Sequence, residues 1–352
     1  MQYLHPTFKF KELSIATAIN QLHIPQSNNH HHPHYYHPYH HQQSPHSPSS
    51  SHSARSPASV NSPTMATQVP VWFLTAASSG FGKYMAFEAL KRGHRVVASA
   101  RSTSRIQDLK EAGADVVTLD VTAPLPELQK VAKEVFDKYG YITHLVNAAG
   151  YVLVGAVEET SPQEDFDTFN TNVFGMLNVS KAFLPYLRAS PGEKTLSNFG
   201  SIGSWVGGEG YGLYSGTKWA CSGISEAMRQ ELAPFNIKVT VIEPGYFRTG
   251  FLNAGARIES HTQIQAYNDT AVGVMRQALE GTDNKQRGDI VKGCKVLIDI
   301  LTHSGPAEGK DIPMRIALGA DSPPAIREKM ERTEALLKEW DSITTNTDHD
   351  DQ

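Results

Sequence analysis

Tyr214 and Lys218 stand four residues apart in the run Leu213-Tyr214-Ser215-Gly216-Thr217-Lys218-Trp219-Ala220. The apolar spacing Ile224, Met228, Leu232 that follows predicts a helix, and on a helix the phenol and the ammonium share one face. An isolated tyrosine, with a pKa near ~10, is a poor acid or base at neutral pH, but an adjacent cation favours its phenolate and moves it toward the working range. The pair therefore reads as a proton donor and acceptor. The same spacing also describes an ordinary solvated surface contact, so the order and context of the remaining chain must decide.

From Val69 onward, apolar runs alternate with helical patterns. Strands are predicted at Val71–Thr75, Arg95–Ala100, Asp115–Val121, His144–Gly150, Thr195–Phe199 and Val239–Glu243. Between them fall a helix through Met85 and Leu90 ending near Gly93, another over Leu128 to Tyr139, a long one from Pro162 to Leu187, and the Tyr214/Lys218 helix. Strands apolar on both faces and separated by helices predict a parallel sheet covered on both sides, a doubly wound α/β fold. In such a sheet ligands bind beyond the carboxyl ends of the strands. One sheet edge then gathers the Ala76–Gly82 turn, Arg101, Asp120, Asn147 to Gly150, Ser201 and Pro244-Gly245.

The turn after the first strand suits a pyrophosphate, because its glycines let the backbone approach and a helix start presents free N–H groups. Taken alone, Gly80 and Gly82 also fit an ordinary tight turn, since they do not complete a G-x-G-x-x-G fingerprint. At the end of the second strand, where NAD-preferring sites hold a carboxylate, this chain has Ala100-Arg101. Arg101 reads as a cation for a ribose 2′-phosphate, or as a plain surface arginine.

Together the residues from Thr75 through Thr249 resemble the short-chain dehydrogenase/reductase family, and the resemblance covers essentially all of the globular sequence. The family's T-G-x-x-x-G-x-G motif falls on Thr75-Ala76-Ala77-Ser78-Ser79-Gly80-Phe81-Gly82, with Ala76 in place of the first glycine. Its Asn-Asn-Ala-Gly element matches Asn147-Ala148-Ala149-Gly150, and its aspartate near the adenine matches Asp120, followed by Val121. The family's active-site asparagine matches Asn172, its serine matches Ser201, thirteen residues before Tyr214, and the Y-x-x-x-K motif is intact. P-G-x-x-x-T appears as Pro244-Gly245-Tyr246-Phe247-Arg248-Thr249 and implies contact with the nicotinamide and phosphate side of a cofactor. Within the family the chain is similar to NADP-preferring hydroxysteroid and retinol dehydrogenases and to fungal ketoreductases of secondary metabolism.

The resemblance implies a single Rossmann-fold domain and NADP(H) as cofactor. It also implies hydride transfer to a carbonyl, with Tyr214 passing the proton, Ser201 holding the oxygen, Lys218 serving tyrosine and ribose, and Asn172 ordering a water. Homo-oligomers built on the two long helices are usual among such proteins. Tyr151, Val152, Trp205, Val206, Tyr211, Tyr246, Phe251 and Tyr267 are the candidate lining of a substrate pocket, or core residues, and suit a bulky apolar carbonyl or alcohol. Within a variable region of about 248–285, Gly255 and the polar run Glu259 to Gln265 read as a flexible lid.

The 352-residue chain has 32 basic and 36 acidic residues and no basic block, which gives no reason to propose nucleic acid. No apolar run approaches the ~20 residues of a membrane span. Residues 1–64 are rich in His, Pro, Ser and Gln, too poor in aliphatic residues to offset ordering entropy, and are expected to be a disordered tail without a defined metal site. The catalytic domain is then 65–345, and Met65 is a candidate translation start. Cys221 and Cys294 lack ligand spacing and read as buried reduced thiols in a cytoplasmic protein. Two other functions stay open: a catalytically idle NADP-binding interaction protein, and an epimerase or dehydratase, whose usual larger C-terminal domain is missing here.

Overall fold

The structure, a computed structural model, describes residues 68–251, 256–282 and 285–349. The His-rich tail and Gly255 lie outside the described residues. Seven parallel strands form the main sheet: β1 (Val71–Leu74), β2 (Arg95–Ala100), β3 (Asp115–Thr118), β4 (His144–Asn147), β6 (Lys194–Phe199), β7 (Ile237–Pro244) and β9 (Arg315–Leu318). Two shorter strands, β5 (Val152–Val154) and β8 (Arg257–Glu259), pair in parallel with each other. The helices are α1 (Gly80–Lys91), α2 (Gln107–Glu111), α3 (Leu125–Tyr139), α4 (Pro162–Phe169), α5 (Met176–Ala189), α6 (Gly212–Leu232), α7 (Ala271–Thr282), α8 (Ile290–Leu301) and α9 (Ser322–Thr344).

Successive strand residues point to opposite faces, which is why the central strands are apolar throughout. In β1, Trp72 and Leu74 pack with Met85 and Ala89 of α1 and Leu297 and Leu301 of α8, whereas Phe73 packs with Leu128 of α3, Phe183 of α5 and Met228 of α6. The fold is the expected doubly wound α/β sheet, a Rossmann fold. Its order is β3-β2-β1-β4-β6-β7-β9, so the chain runs outward from β1 to β3 and then crosses to β4. That reversal leaves a crevice beyond the carboxyl ends of β1 and β4, where the motif residues gather.

Three departures from expectation bear on the site. β3 stops at Thr118 because Asp120 turns the chain, its Oδ1 accepting from the Thr122 N–H (2.9 Å) and hydroxyl (2.7 Å). β4 likewise ends at Asn147 rather than Gly150. The long helix expected over Pro162 to Leu187 is interrupted by a π-helical turn at Asn170–Gly175, the kind of insertion that re-aims a helix at functional sites. Among the described residues no helix is long and apolar enough to cross a membrane.

Candidate active site

The cavity at the switch point begins with the turn after β1. Ala76 takes a left-handed φ of 53°, standing where a glycine would be unstrained, and Gly80 follows with φ 55°. A Cβ on Gly82 would lie 2.7 Å from the Thr75 carbonyl oxygen and 2.9 Å from that of Ala76, so only glycine lets α1 start so close to β1. The N-cap Ser79 forms no side-chain cap bond and the first turn holds no acidic residue. The helix start therefore keeps unsatisfied N–H groups and a positive dipole end for an anion.

Ser79, Gly80, Phe81 and Gly82 line the cavity; Ser78 does not. Thr75 is buried behind the wall, where its Oγ1 accepts from the N–H groups of Ala148 (2.9 Å) and Ala149 (3.2 Å) and braces the turn against the chain leaving β4. Asn147 is a brace of the same kind, with Nδ2 donating to Asn198 Oδ1 (2.9 Å) and Ser180 Oγ (3.0 Å), while Ala148 and Gly150 reach the cavity. Arg101 and Asp120 are exposed at the ends of β2 and β3, away from this lining. Val121 is buried on the α3 and α5 side of the sheet. Pro244, Gly245, Phe247 and Thr249 form the facing wall. A side chain on Gly245 would collide with the Asp321 carboxylate, whose Oδ2 accepts from the Tyr246 N–H (2.7 Å) and fixes this loop.

Ser201, Tyr214 and Lys218 all line the same cavity. The Ser201 turn is locked to α6: its N–H donates to Ser204 Oγ (3.2 Å), and that hydroxyl donates to the Lys218 carbonyl (2.9 Å). Lys218, only 4 % exposed, donates from Nζ to the Phe199 carbonyl (2.7 Å) and sits 5.8 Å from the Tyr214 ring centre. Gly150 permits this approach, for a Cβ there would meet Lys218 Nζ at 3.4 Å and Asn172 Oδ1 at 3.1 Å. Asn172 is buried outside the lining. It accepts from the Tyr151 N–H (3.0 Å), donates to the Tyr151 carbonyl (2.9 Å) and donates to Thr217 Oγ1 (3.1 Å), while its own carbonyl receives the Cys221 thiol (3.2 Å). The π turn thus holds the β4 exit against α6 one residue before Lys218.

Burial pushes the Tyr214 phenol up to about 12, against a lowering effect of the Ser201 side chain. The depression expected from Lys218 does not appear: burial raises the phenol, and burial likewise lowers the Lys218 ammonium. At neutral pH Tyr214 is accordingly a protonated donor.

Of the candidate substrate residues, Val152, Tyr211, Tyr246 and Phe251 line the cavity, with the Phe251 ring 6.1 Å from that of Tyr214. Val206 lies outside the lining, as do three side chains with other partners: Tyr151 with Thr168 (3.1 Å), Trp205 with Glu243 (2.7 Å) and Tyr267 with Glu158 (2.7 Å). Ile202, Ala256, Leu279 and Gln286 complete the wall without having been singled out by any motif. Gly255 of the expected lid lies outside the described residues, and the polar run Glu259 to Gln265 makes several hydrogen bonds to the body of the domain. Glu164 accepts from the His261 N–H (2.9 Å) and ring (2.7 Å), Glu159 accepts from the Ile264 N–H (2.8 Å) and pairs with Arg276, and Ser260 N–H donates to Val154 (2.8 Å).

The short chain dehydrogenase family profile matches residues 70–258. The chain is 31% identical over 278 residues to oxidoreductase BOA17 of Botryotinia fuckeliana, covering 78% of this chain and 97% of that protein. It is 36% identical over 203 residues to a 3-ketodihydrosphingosine reductase of Bacteroides thetaiotaomicron, covering 58% of this chain and 73% of the relative. The crystal structure of a short-chain dehydrogenase from Streptomyces avermitilis superposes with a TM-score of 0.72 at 36% identity, covering 81% of this chain and all of that one. With more than half of its length inside the family profile, this chain belongs to the short-chain dehydrogenase/reductase family of oxidoreductases.

Proposed function

We propose that the protein is an NADP(H)-dependent oxidoreductase acting on the carbonyl or secondary alcohol of a bulky apolar substrate, polyketide-, steroid- or retinoid-like. The observation that carries this reading is the convergence of Tyr214, Ser201 and Lys218 on the cavity whose other wall is the Gly80–Gly82 helix start. The uncapped start of α1 and the glycines it requires fit a dinucleotide pyrophosphate, and Arg101, following Ala100 at the end of β2 where an NAD-preferring site would carry a carboxylate, fits a 2′-phosphate. Bound there, the dinucleotide supplies or accepts the hydride.

The chain's own residues manage the proton. Tyr214, protonated at neutral pH, donates from its phenol oxygen to the substrate oxygen as negative charge develops there, and Ser201 Oγ donates a second hydrogen bond to the same atom. Lys218 adds positive charge beside the resulting phenolate. Asn172 is a positioning residue that holds Tyr151 and Thr217 around this group. The apolar walls from Val152, Phe251 and Leu279 exclude water and favour a bulky apolar ligand.

The deciding experiment is NADPH oxidation by the full chain against aromatic ketones, steroids, retinals and quinones, with NADH and Tyr214→Phe as controls. Turnover with NADPH that disappears in Tyr214→Phe while dinucleotide binding persists supports the reading. Equal activity in both proteins refutes the role of Tyr214, and tight binding without turnover favours an idle binding protein.

The same reading takes 65–345 as the catalytic domain in a cytoplasmic setting, supported by the two buried free cysteines. Residues 1–64 are then a dispensable tail, which mass spectrometry of the native N-terminus tests. Exposed Phe166, Phe174 and Trp219 on and beside α4 and α6 suit a homo-oligomer, and a monomer in sedimentation would exclude it.

A further inference from the structure

The last helix, α9, leaves the body of the domain. Its start is seated: Ser322 is buried and donates from Oγ to the Glu243 carbonyl (3.2 Å), and the Lys329 ammonium stands 5.9 Å from the Trp219 ring centre on α6. From Met330 to Thr344 every residue is exposed, over a length of about 22 Å. Among the described residues, the side chains of this stretch bond only within the helix, as Lys338 does with Glu334 (3.2 Å) and Thr333 with the Lys329 carbonyl (2.8 Å). Yet Met330, Leu336, Leu337, Trp340 and Ile343 are between 50 % and 66 % exposed. Propensity alone barely holds such a segment helical in water, and five large apolar side chains on one free helix exceed the scattered exposure of an ordinary surface.

Their spacing specifies a partner. Ile326, Met330, Thr333, Leu337, Trp340 and Thr344 recur at alternating steps of four and three, the seven-residue repeat that keeps one seam facing a second helix. Leu336 and Ile343 widen one edge of that seam, and Arg327, Glu334 and Asp341 mark the other. A parallel copy would set the apolar edge of one helix against the acidic edge of its mate. An antiparallel copy centred near Ala335 sets like edges together: Met330 meets the partner's Trp340, Leu336 meets its own copy, and Arg327 opposes Asp341 of the partner subunit. Neither of those two charges is paired within its own chain, among the described residues. Glu334 meets its own copy at the centre, a like-charge cost that its Lys338 neighbour offsets. With four basic and five acidic residues, α9 lacks the excess of lysine and arginine by which a helix holds an anionic lipid surface.

We infer that α9 is a dimerisation arm, its exposed seam taken by the same seam of a second copy of this chain in antiparallel register. The surface is distinct from the aromatic patch of Phe166 and Phe174, and the inference does not depend on the hydride-transfer reading. A pairing of four turns from each chain is smaller than the about 800 Å² per partner of a standard interface, so the dimer dissociates in the micromolar range.

The test is sedimentation of the full chain between about 1 and 100 µM. The wild type should pass from monomer to dimer over that range. Leu337→Glu puts a charge into the seam at an exposed helical position, so the melting temperature measured on the monomer stays that of the wild type while the dimer Kd weakens at least about tenfold. Arg327→Glu should weaken it about fivefold, and adding Asp341→Arg should restore it. The two positions are fourteen residues apart on one helix, about 21 Å, so restoration cannot arise within a chain. Phe166→Glu should leave this dimer intact, which separates it from association through α4 and α6. If both faces associate, the wild type is a tetramer and either Leu337→Glu or Phe166→Glu leaves a dimer, which also supports the arm. A dimer lost in Phe166→Glu but kept in Leu337→Glu overturns the proposal, and a charge exchange that restores nothing overturns the antiparallel pairing. A wild type that stays monomeric throughout, or that sediments instead with phosphatidylserine vesicles, overturns it as well, and NADPH binding by that monomer would leave the hydride-transfer reading standing.

Discussion

Arg276 and Glu159 form an ion pair across 117 residues of chain, joining α7 to the turn that follows β5. Glu159 is 2 % exposed and also accepts from the N–H groups of Ala156 (2.7 Å) and Ile264 (2.8 Å). Burial would raise this carboxylate, but Arg276 and the two backbone donors hold it below its usual value. Removing the guanidinium leaves a buried charge short of its strongest partner. We expect Arg276→Met to cost about 3 kcal/mol in thermal unfolding. Because Leu279 of the same helix lines the cavity, KM should rise about threefold to tenfold with kcat nearly unchanged. A variant that melts like the wild type sinks the clamp.

The turn after β1 can be tested from both sides. Ala76 is held at φ 53°, a conformation that costs a side-chain-bearing residue about 1–2 kcal/mol. Glycine relieves the strain and adds unfolded-state entropy, so Ala76→Gly should stabilise by no more than about 1 kcal/mol and leave dinucleotide binding intact. Gly82→Ala should do the opposite, because its Cβ would enter the Thr75 carbonyl at 2.7 Å. Loss of binding in Gly82→Ala is the expected reading in a titration, and normal binding there contradicts the cradle.

Tyr214 makes a directional prediction about pH. Its pKa is raised to about 12 by burial, so the proton-donating form dominates across the neutral range. Reduction should show no alkaline decline from this group between about pH 6 and 9, whereas oxidation, which needs the phenolate, should climb as the pH rises. The stability linkage has the same origin. A phenol with a folded pKa above its unfolded value contributes stability that is complete below about 10 and is lost as pH rises through about 12. Tyr214→Phe should flatten that alkaline loss in melting curves, and an unchanged slope would assign it to other groups.

Sequence alone carried six strands of the sheet and most of the residues that line the candidate cavity, because both are local patterns. The short apolar runs, the glycines at 80 and 82 and the Tyr214/Lys218 spacing each report a neighbourhood of a few residues. What escaped is what distant contacts decide. The π turn at Asn170–Gly175 is a slip in hydrogen bonding that leaves the apolar period of the helix almost untouched. β5 and β8 are three residues each and exist by pairing with one another across a hundred positions. Trp205 looks like a pocket aromatic in sequence, yet the Glu243 carboxylate turns its indole away. Gln286 carries no motif at all, and only the Phe247–Gly288 bridge makes its place visible.

Glu164 gives the fold an acid-sensitive tie. Burial opposes its ionisation, but hydrogen bonds from the N–H and hydroxyl of Ser161 and from the N–H and ring of His261 hold the carboxyl down to about 2. A depressed carboxyl contributes stability that is present above its unfolded pKa, near ~4.3, and is lost as pH falls through about 2. Glu164→Gln should therefore lower the melting temperature at neutral pH and shrink its difference from wild type in acid. A difference that stays constant over that window would separate the tie from the charge.

A buried charged network stands behind Ser201. Glu243, 0 % exposed at the end of β7, receives Trp205 Nε1 (2.7 Å), Ser222 Oγ (3.1 Å) and Arg315 (2.5 Å), while the Arg315 guanidinium also stacks 4.5 Å from the Trp205 ring centre. Burial raises the Glu243 pKa, and Trp205, Arg315 and Ser222 counter it. Arg315→Met removes the only one of these partners that carries charge, so the pKa climbs further and the carboxyl tends to protonate. A raised folded pKa means stability that is fully present below the unfolded value and lost as pH rises through the folded one. The variant should fall short of wild type by about 3 kcal/mol near neutral pH, and the shortfall should shrink on acidification as Glu243 becomes neutral in both proteins. Because Trp205 follows the Ile202–Ser204 turn that seats Ser201, kcat should fall along with stability. A shortfall that stays constant in acid would show that Arg315 acts instead through a contact that does not titrate, its stacking on the Trp205 ring.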